Sequence, residues 1–292
     1  MSLWQKIGEH ISSSSGVPFT QGERKSIGGG CINSAFAIEG SGRRYFVKLN
    51  DAGRVGMFEA ETAGLQEILQ THTIRAPQPI CVGAADGSAY LVLEYIDMRD
   101  GDHGQEALGK QLATLHQVTA PEFGWSRDNT IGSTPQINTR CGNWRDFWRD
   151  QRLGIQLKLA AENGYSGVLQ RKGERLQSDI AEFFANYSPR PALLHGDLWS
   201  GNYGVAGDIP VIFDPAVYYG DREADLAMTE LFGGFSARFY AAYRDALPLD
   251  AGYPVRKTLY NLYHILNHLN LFGDGYRAQA EQMMDKLQAE LR

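Results

Sequence analysis

The 292-residue chain has three cysteines, Cys31, Cys81 and Cys141, at spacings that fit neither a disulfide framework nor a zinc site. Free thiols suit a reducing compartment, and we expect a cytoplasmic protein. No segment approaches the roughly 18 uncharged apolar residues of a membrane span, so no membrane role is expected. The opening Met-Ser-Leu-Trp-Gln-Lys-Ile-Gly-Glu-His has no basic stretch followed by a continuous apolar one, unlike a secretory signal. No G-K-[ST] phosphate loop occurs, which excludes the Walker class of nucleotide sites. Excess positive charge is also missing. Lys plus Arg number 28 against 34 Asp plus Glu, a net charge of −6, which argues against a nucleic-acid partner and leaves room for a cationic substrate.

What is present is an ordinary globular composition, 43% apolar and 21% charged. Ala35–Ile38, Tyr45–Leu49 and Ala89–Tyr95 are short β-rich runs between Gly, Ser and Asp clusters, and 56–72 carries helical periodicity. The acidic, Gly-punctuated stretch from Ile96 to Asp102 has the composition of a connector. Helical patterns then dominate, over 105–118, 144–163, 169–187, 223–231, 236–246 and 256–272, interrupted by the apolar pieces Ala192–Leu194 and Val211–Phe213. We expect an α+β protein with two lobes. Residues 1–96 form a small antiparallel sheet with one main helix, and 97–292 a larger, mainly helical lobe.

The strongest chemical signal is His195-Gly196-Asp197-Leu198-Trp199-Ser200-Gly201-Asn202, followed after a short apolar strand by Asp214-Pro215. An Asp, an Asn five positions on and a second Asp form a phosphoryl-transfer constellation. Asp197 would accept the proton of an attacking hydroxyl. Asn202 and Asp214 supply oxygen ligands to Mg²⁺, a hard cation that bridges the phosphates of ATP. Such chemistry also needs a cation on the phosphates. Lys48 stands in the extended Tyr45-Phe46-Val47-Lys48-Leu49, and Phe58, Glu61, Leu65 and Ile68 share one helical stripe. Glu61 on that inward face requires a partner, and Lys48 supplies one. Gly28, Gly29 and Gly30 could bring backbone N–H groups to phosphate oxygens, and a plain hairpin turn fits the same residues. The backbone at Glu94 and Ile96, ending the last small-lobe strand, is placed to read an adenine edge.

With these residues go Met57-Phe58-Glu59-Ala60-Glu61, Leu112-Ala113-Thr114-Leu115-His116, Asp128-Asn129-Thr130-Ile131-Gly132-Ser133-Thr134-Pro135-Gln136 and the run from Asp214 to Met228. Together they resemble the fructosamine kinase (ketosamine-3-kinase) family, within the wider group that resembles aminoglycoside phosphotransferases and choline kinases. The resemblance implies a protein-kinase-like fold and ATP-dependent phosphorylation of a ketosamine hydroxyl, a repair of glycated amines or protein lysines. It assigns Lys48 and Glu61 to the phosphates, Asp197 as base, and Asn202 and Asp214 as metal ligands. An aminoglycoside- or choline-type alcohol kinase and a nucleotide-binding pseudokinase are the alternatives.

Around the acceptor the residues are open to two readings. Trp199 and Tyr219 either pack on a sugar face or belong to the core. Asp221 either contacts substrate or braces the fold, and for Asp225 bracing is the better reading. His264 and His268, one helical turn apart, lack a third metal ligand nearby, and His268 fits a polar face over the acceptor. Cys31 is either a buried small hydrophobe or a redox-active thiol beside the phosphates. The protein is then a monomer or a redox-linked homodimer.

Overall fold

The computed structural model describes residues 1–28, 32–99 and 104–291; Gly29, Gly30 and Cys31, expected in the phosphate loop, lie outside the described residues. The chain forms two compact units, Met1–Gly101 with Gly204–Pro215, and Asp102–Tyr203 with Ala216–Arg292.

The first unit opens with α1 (Leu3–Ser15), whose N-terminus is closed by a Ser2/Gln5 capping box. Strands β1 (Arg24–Ile27), β2 (Ser34–Gly40) and β3 (Arg43–Asp51) follow, then α2 (Val55–Gln70), β4 (Pro79–Ala85) and β5 (Ser88–Glu94). The strands make one antiparallel sheet in the order β1-β2-β3-β5-β4. Ile7 and Ile11 of α1 join Phe19, Ile38, Tyr45, Val47, Tyr90 and Val92 in one apolar core. The two-residue period of β3 therefore sends Lys48 to the opposite side from Tyr45 and Val47. Phe58, Leu65 and Ile68 of α2 are buried, as the stripe containing Glu61 anticipates.

The second unit contains α3 (Gln105–Leu115), a β6–β7 hairpin (Asn129–Ile131, Thr134–Gln136), α4 (Trp144–Phe147), α5 (Ile155–Glu162), α6 (Val168–Ser178) and β8 (Ala192–Leu194). The hairpin of β9 (Tyr203–Ala206) and β10 (Ile209–Ile212) comes next. After it the second unit resumes with β11 (Tyr218–Gly220), paired with β8, and α7 (Glu223–Thr229), α8 (Ala237–Ala246), α9 (Tyr253–Phe272) and α10 (Arg277–Glu290). A Cβ on Gly109 of α3 would lie 2.4 Å from the Phe239 carbonyl oxygen of α8, so a glycine lets these two helices pack backbone to backbone.

The α+β class is as expected, with several local differences. The stretch 204–215 groups with the first unit, whereas the sequence reading divides the chain once, near residue 97. Backbone bonds explain it: Arg99 and Val205 exchange N–H···O bonds at 2.9 and 3.1 Å, and Ile212 N–H donates to Arg75 at 3.0 Å. Helices α1 and α10 and strands β1, β4, β6, β7, β9 and β11 are additional to the sequence reading. In α1 the apolar signal is diluted by Ser12–Ser15, whereas Ala280, Met284 and Leu287 of α10 show the i, i+4, i+7 pattern plainly and are buried. A π turn over Trp148–Gly154 joins α4 to α5, and the expected helix over 169–187 stops at Ser178 before a 3₁₀ turn at Ile180–Phe184. No helix among the described residues is long and apolar enough to cross a membrane.

Helix α9 is buried along most of its length and carries His264, 5% exposed. Burial, reinforced by His268, pushes its imidazole down to about 3 despite Asp225. An unfolded histidine titrates near 6.5, so the folded state resists protonation over this interval. The stability contribution is whole above pH 6.5 and disappears as pH falls toward about 3. His264→Gln should therefore flatten the acid limb of a pH-dependent melt, closing roughly 2 kcal/mol of the wild-type loss between pH 7 and pH 5. Parallel curves for the two proteins would contradict a buried neutral imidazole.

Candidate active site

In the first unit, Lys48 Nζ donates to Glu61 Oε1 at 2.6 Å and to Asp214 Oδ1 at 2.5 Å. The lysine and Glu61 side chains are 6% and 11% exposed, and that of Asp214 45%. Burial alone would lower the ammonium's pKa, but the charges of Asp214 and Glu61 outweigh it and hold the proton more firmly than in water. Burial and the nearby Asp214 push the Glu61 carboxyl up against the pull of Lys48. Asp214 has φ +57°, a left-handed backbone that Asp tolerates better than most residues. Such a position costs about 1–3 kcal/mol and persists where its surroundings over-determine it. The lysine bond and the β10 strand before it do so here.

Elsewhere in this unit, a Cβ on Gly28 would meet nothing within 4 Å, so packing does not require glycine there. The Glu94 carboxylate accepts from Arg75 and from the Gln78 N–H at 3.2 Å, and the Glu94 N–H donates to the Gln78 carbonyl at 2.8 Å, so the side chain and the N–H are both engaged. Ile96 is half-buried in the irregular segment after β5.

In the second unit, β8 delivers the loop from His195 to Asn202. Gly196 has φ +83°, and a Cβ there would stand 2.1 Å from the Ala216 carbonyl oxygen. Only glycine fits between His195 and Asp197. The buried Asp225 carboxylate accepts the N–H groups of His195 and Gly196 at 2.7 and 2.8 Å. It also meets His116 Nε2 at 3.1 Å, while His116 Nδ1 meets the Tyr243 hydroxyl at 2.8 Å. Burial would raise Asp225, but the His116 hydrogen bond, the electrostatic interaction with His116 and His195 and the Gly196 N–H hold it below the usual carboxylate range. Asp225 thus braces the loop, and His116 orients Asp225. The loop is also pinned from within. Asp197 N–H donates to His195 Nδ1 at 3.3 Å, and Asn202 Nδ2 donates to the Asp197 carbonyl at 2.8 Å.

Of the two readings of Asp221, substrate contact is corrected to bracing. Asp221 is fully buried and accepts from the hydroxyls of Tyr187 (3.0 Å) and Tyr260 (2.5 Å) and from the Glu223 N–H (3.0 Å), so it cannot reach a substrate. Sequence offered no sign of these two tyrosines, which come from distant segments. Nor did it signal the buried ion pair in which Arg256 grips Glu223 through bonds of 2.8 and 3.1 Å. Tyr219 exchanges backbone hydrogen bonds with Gly124, both at 2.9 Å, and its side chain is half-buried. Trp199 and His268, both half-buried, flank Phe232, with ring centroids 6.3 and 4.7 Å from it.

The Lys48 cluster makes a specific stability prediction. Lys48→Met leaves a buried carboxylate at Glu61 without its partner and should cost about 3 kcal/mol. Asp214, nearly half exposed, can be solvated instead. Lys48→Met combined with Glu61→Leu should recover most of the lost melting temperature and none of the activity. A double variant no more stable than the single one would show that the pair is not what Glu61 needs.

The fructosamine kinase family profile matches residues 3–290. A protein of Synechocystis sp. named a probable ketoamine kinase is 49% identical, covering 96% of this chain and 95% of its own. The chloroplastic protein-ribulosamine 3-kinase of Arabidopsis thaliana is 45% identical over 89% of this chain and 81% of its own. Among solved structures, a candidate fructosamine-3-kinase of Haemophilus somnus superposes with TM-score 0.90 at 26% identity, covering 97% of each chain. An aminoglycoside phosphotransferase complexed with ADP and hygromycin B shares the fold alone, at TM-score 0.63 and 14% identity over 97% of each chain. Match and coverage agree along nearly the whole length: the chain belongs to the fructosamine kinase family, with the fold of protein-kinase-like phosphotransferases.

Proposed function

We propose that the protein transfers the terminal phosphoryl group of ATP to the sugar 3-hydroxyl of ketosamines, the fructosamine- or ribulosamine-type adducts of amines and protein lysines, in the cytoplasm. The phosphorylated adduct then falls apart and frees the amine, so the activity repairs glycation. The observation that carries this reading is the buried Lys48 held between Glu61 and Asp214, a cation fixed for phosphate in a chain 45% identical to a protein-ribulosamine 3-kinase.

Lys48 would neutralise phosphate oxygens, with Glu61 fixing its direction. Asp197 would take the acceptor hydroxyl's proton, its main chain held by His195 and Asn202. The donor chemistry suits Mg²⁺. With Asn202 Nδ2 donating to Asp197, the amide oxygen is the atom left to ligate; Asp214 uses one carboxylate oxygen on Lys48 and keeps the other. When bound, the ion would offset the phosphate charge. Trp199, Tyr219 and His268 are the proposed acceptor-side contacts. Gly28 and the backbone of Glu94 and Ile96 are proposed on the nucleotide side.

Turnover measured on ribulosamine, erythrulosamine and fructosamine adducts tests the activity. Asp197→Asn should retain nucleotide binding and lose about 10²–10⁴-fold in transfer, since the amide fills the same space without accepting the proton. Asp214→Ala should weaken magnesium-dependent nucleotide affinity in calorimetry together with turnover. Near-wild-type turnover in the first variant, or unchanged affinity in the second, would remove that residue from its role.

A further inference from the structure

A row of rings leaves the catalytic loop and runs to the corner between α9 and α10. It starts at Trp199, two residues after Asp197, and passes Phe232 to His268. From His268 it forks to Phe272 and Tyr276, with centroids at 5.3 and 5.1 Å. None of the five side chains is buried, and Phe272, at 55% exposed, is among the most exposed large apolar residues. The other four are half-buried, so each ring keeps part of its area in water, and a row of such rings ending on an exposed one marks a contact surface.

The outer end offers an exposed carboxylate. Asp274, between Phe272 and Tyr276, is exposed. Arg277, the nearest cation along the chain, is engaged by Glu281 at 3.0 Å. His268 Nδ1 lies 2.8 Å from the His264 carbonyl oxygen, so that nitrogen carries the proton and Nε2 is left with a lone pair. Burial lowers the His268 pKa, which keeps the ring from repelling a cation.

We propose that Phe272, Tyr276 and Asp274 seat the amine-bearing carrier of the adduct, a cationic lysyl peptide rather than the sugar. This rests on the ketosamine reading given above. In a ketosamine the nitrogen is joined to the carbon next to the carbonyl, and the 3-hydroxyl stands on the carbonyl's other side. With that hydroxyl at Asp197, the ammonium lies only a few bonds away, and the carrier must leave along a neighbouring surface. The ring row begins there. Aromatic faces attract an ammonium and cover the methylenes of a lysine side chain, while Asp274 meets cationic residues further along a peptide.

Two adducts with the same ribulosyl group provide the test: one on methylamine, the other on the lysine of a short arginine-containing peptide. Combining Phe272→Ala with Tyr276→Ala should lower the peptide-to-methylamine ratio of kcat/KM by about tenfold, through KM for the peptide. Phe272→Tyr should preserve the ratio, and Asp274→Lys should lower it and reduce its dependence on salt. An unchanged ratio, or equal losses on both adducts, would overturn the proposal. So would a change in sedimentation on removing the rings, which would assign the row to a second copy of the chain. Calorimetric binding of the peptide adduct separates the two readings. If the wild type phosphorylates neither adduct, the kinase reading fails alone when the double variant still weakens binding, and both fail when it does not.

Discussion

The ammonium of Lys48 needs two carboxylates, and much of the first unit is arranged to supply them. Moving a charge out of water is costly, and it is tolerated where hydrogen-bonded partners replace the solvent. Glu61 comes from the helix that follows β3, and Asp214 from a segment 166 positions away in the chain. Sheet, helix and the 204–215 hairpin therefore have to be in register together. The positive φ of Asp214 is the local consequence: the backbone accepts an unfavourable conformation to keep the carboxylate on the lysine.

The second unit solves a comparable problem with neutral donors. A sharp loop after a three-residue strand exposes main-chain N–H groups that no regular partner satisfies. Asp225 takes two of them and is itself oriented by His116, whose other nitrogen meets Tyr243. Gly196 is the steric counterpart of this arrangement, because only a residue without Cβ passes the Ala216 carbonyl. Rigidity of this kind suits phosphoryl transfer, where positioning does most of the catalytic work.

Some residues could be read in place from the chain alone. The two-residue period of β3 and the helical stripe of α2 put Lys48 and Glu61 on faces that could meet, and the structure joins them at 2.6 Å. The pattern in α10 is as plain, although the sequence reading ends its helices at residue 272. Other positions were not. Asp221 stands in a polar run where substrate contact and bracing look the same, and only Tyr187 and Tyr260, arriving from elsewhere in the chain, decide between them.

Sequence by itself determined the chemistry of this protein: which side chains can hold a proton, ligate a cation or carry a buried charge, and which face of each element they occupy. Periodicity acts over a few residues, so it could specify faces and loops but not what covers them. Tertiary structure decided the partners. It placed Asp214 on Lys48, returned the 204–215 hairpin to the first unit, closed tyrosines over Asp221, and left Phe272 exposed at the end of the row from Trp199. Those outcomes depend on contacts between residues distant in the chain, which no local pattern encodes.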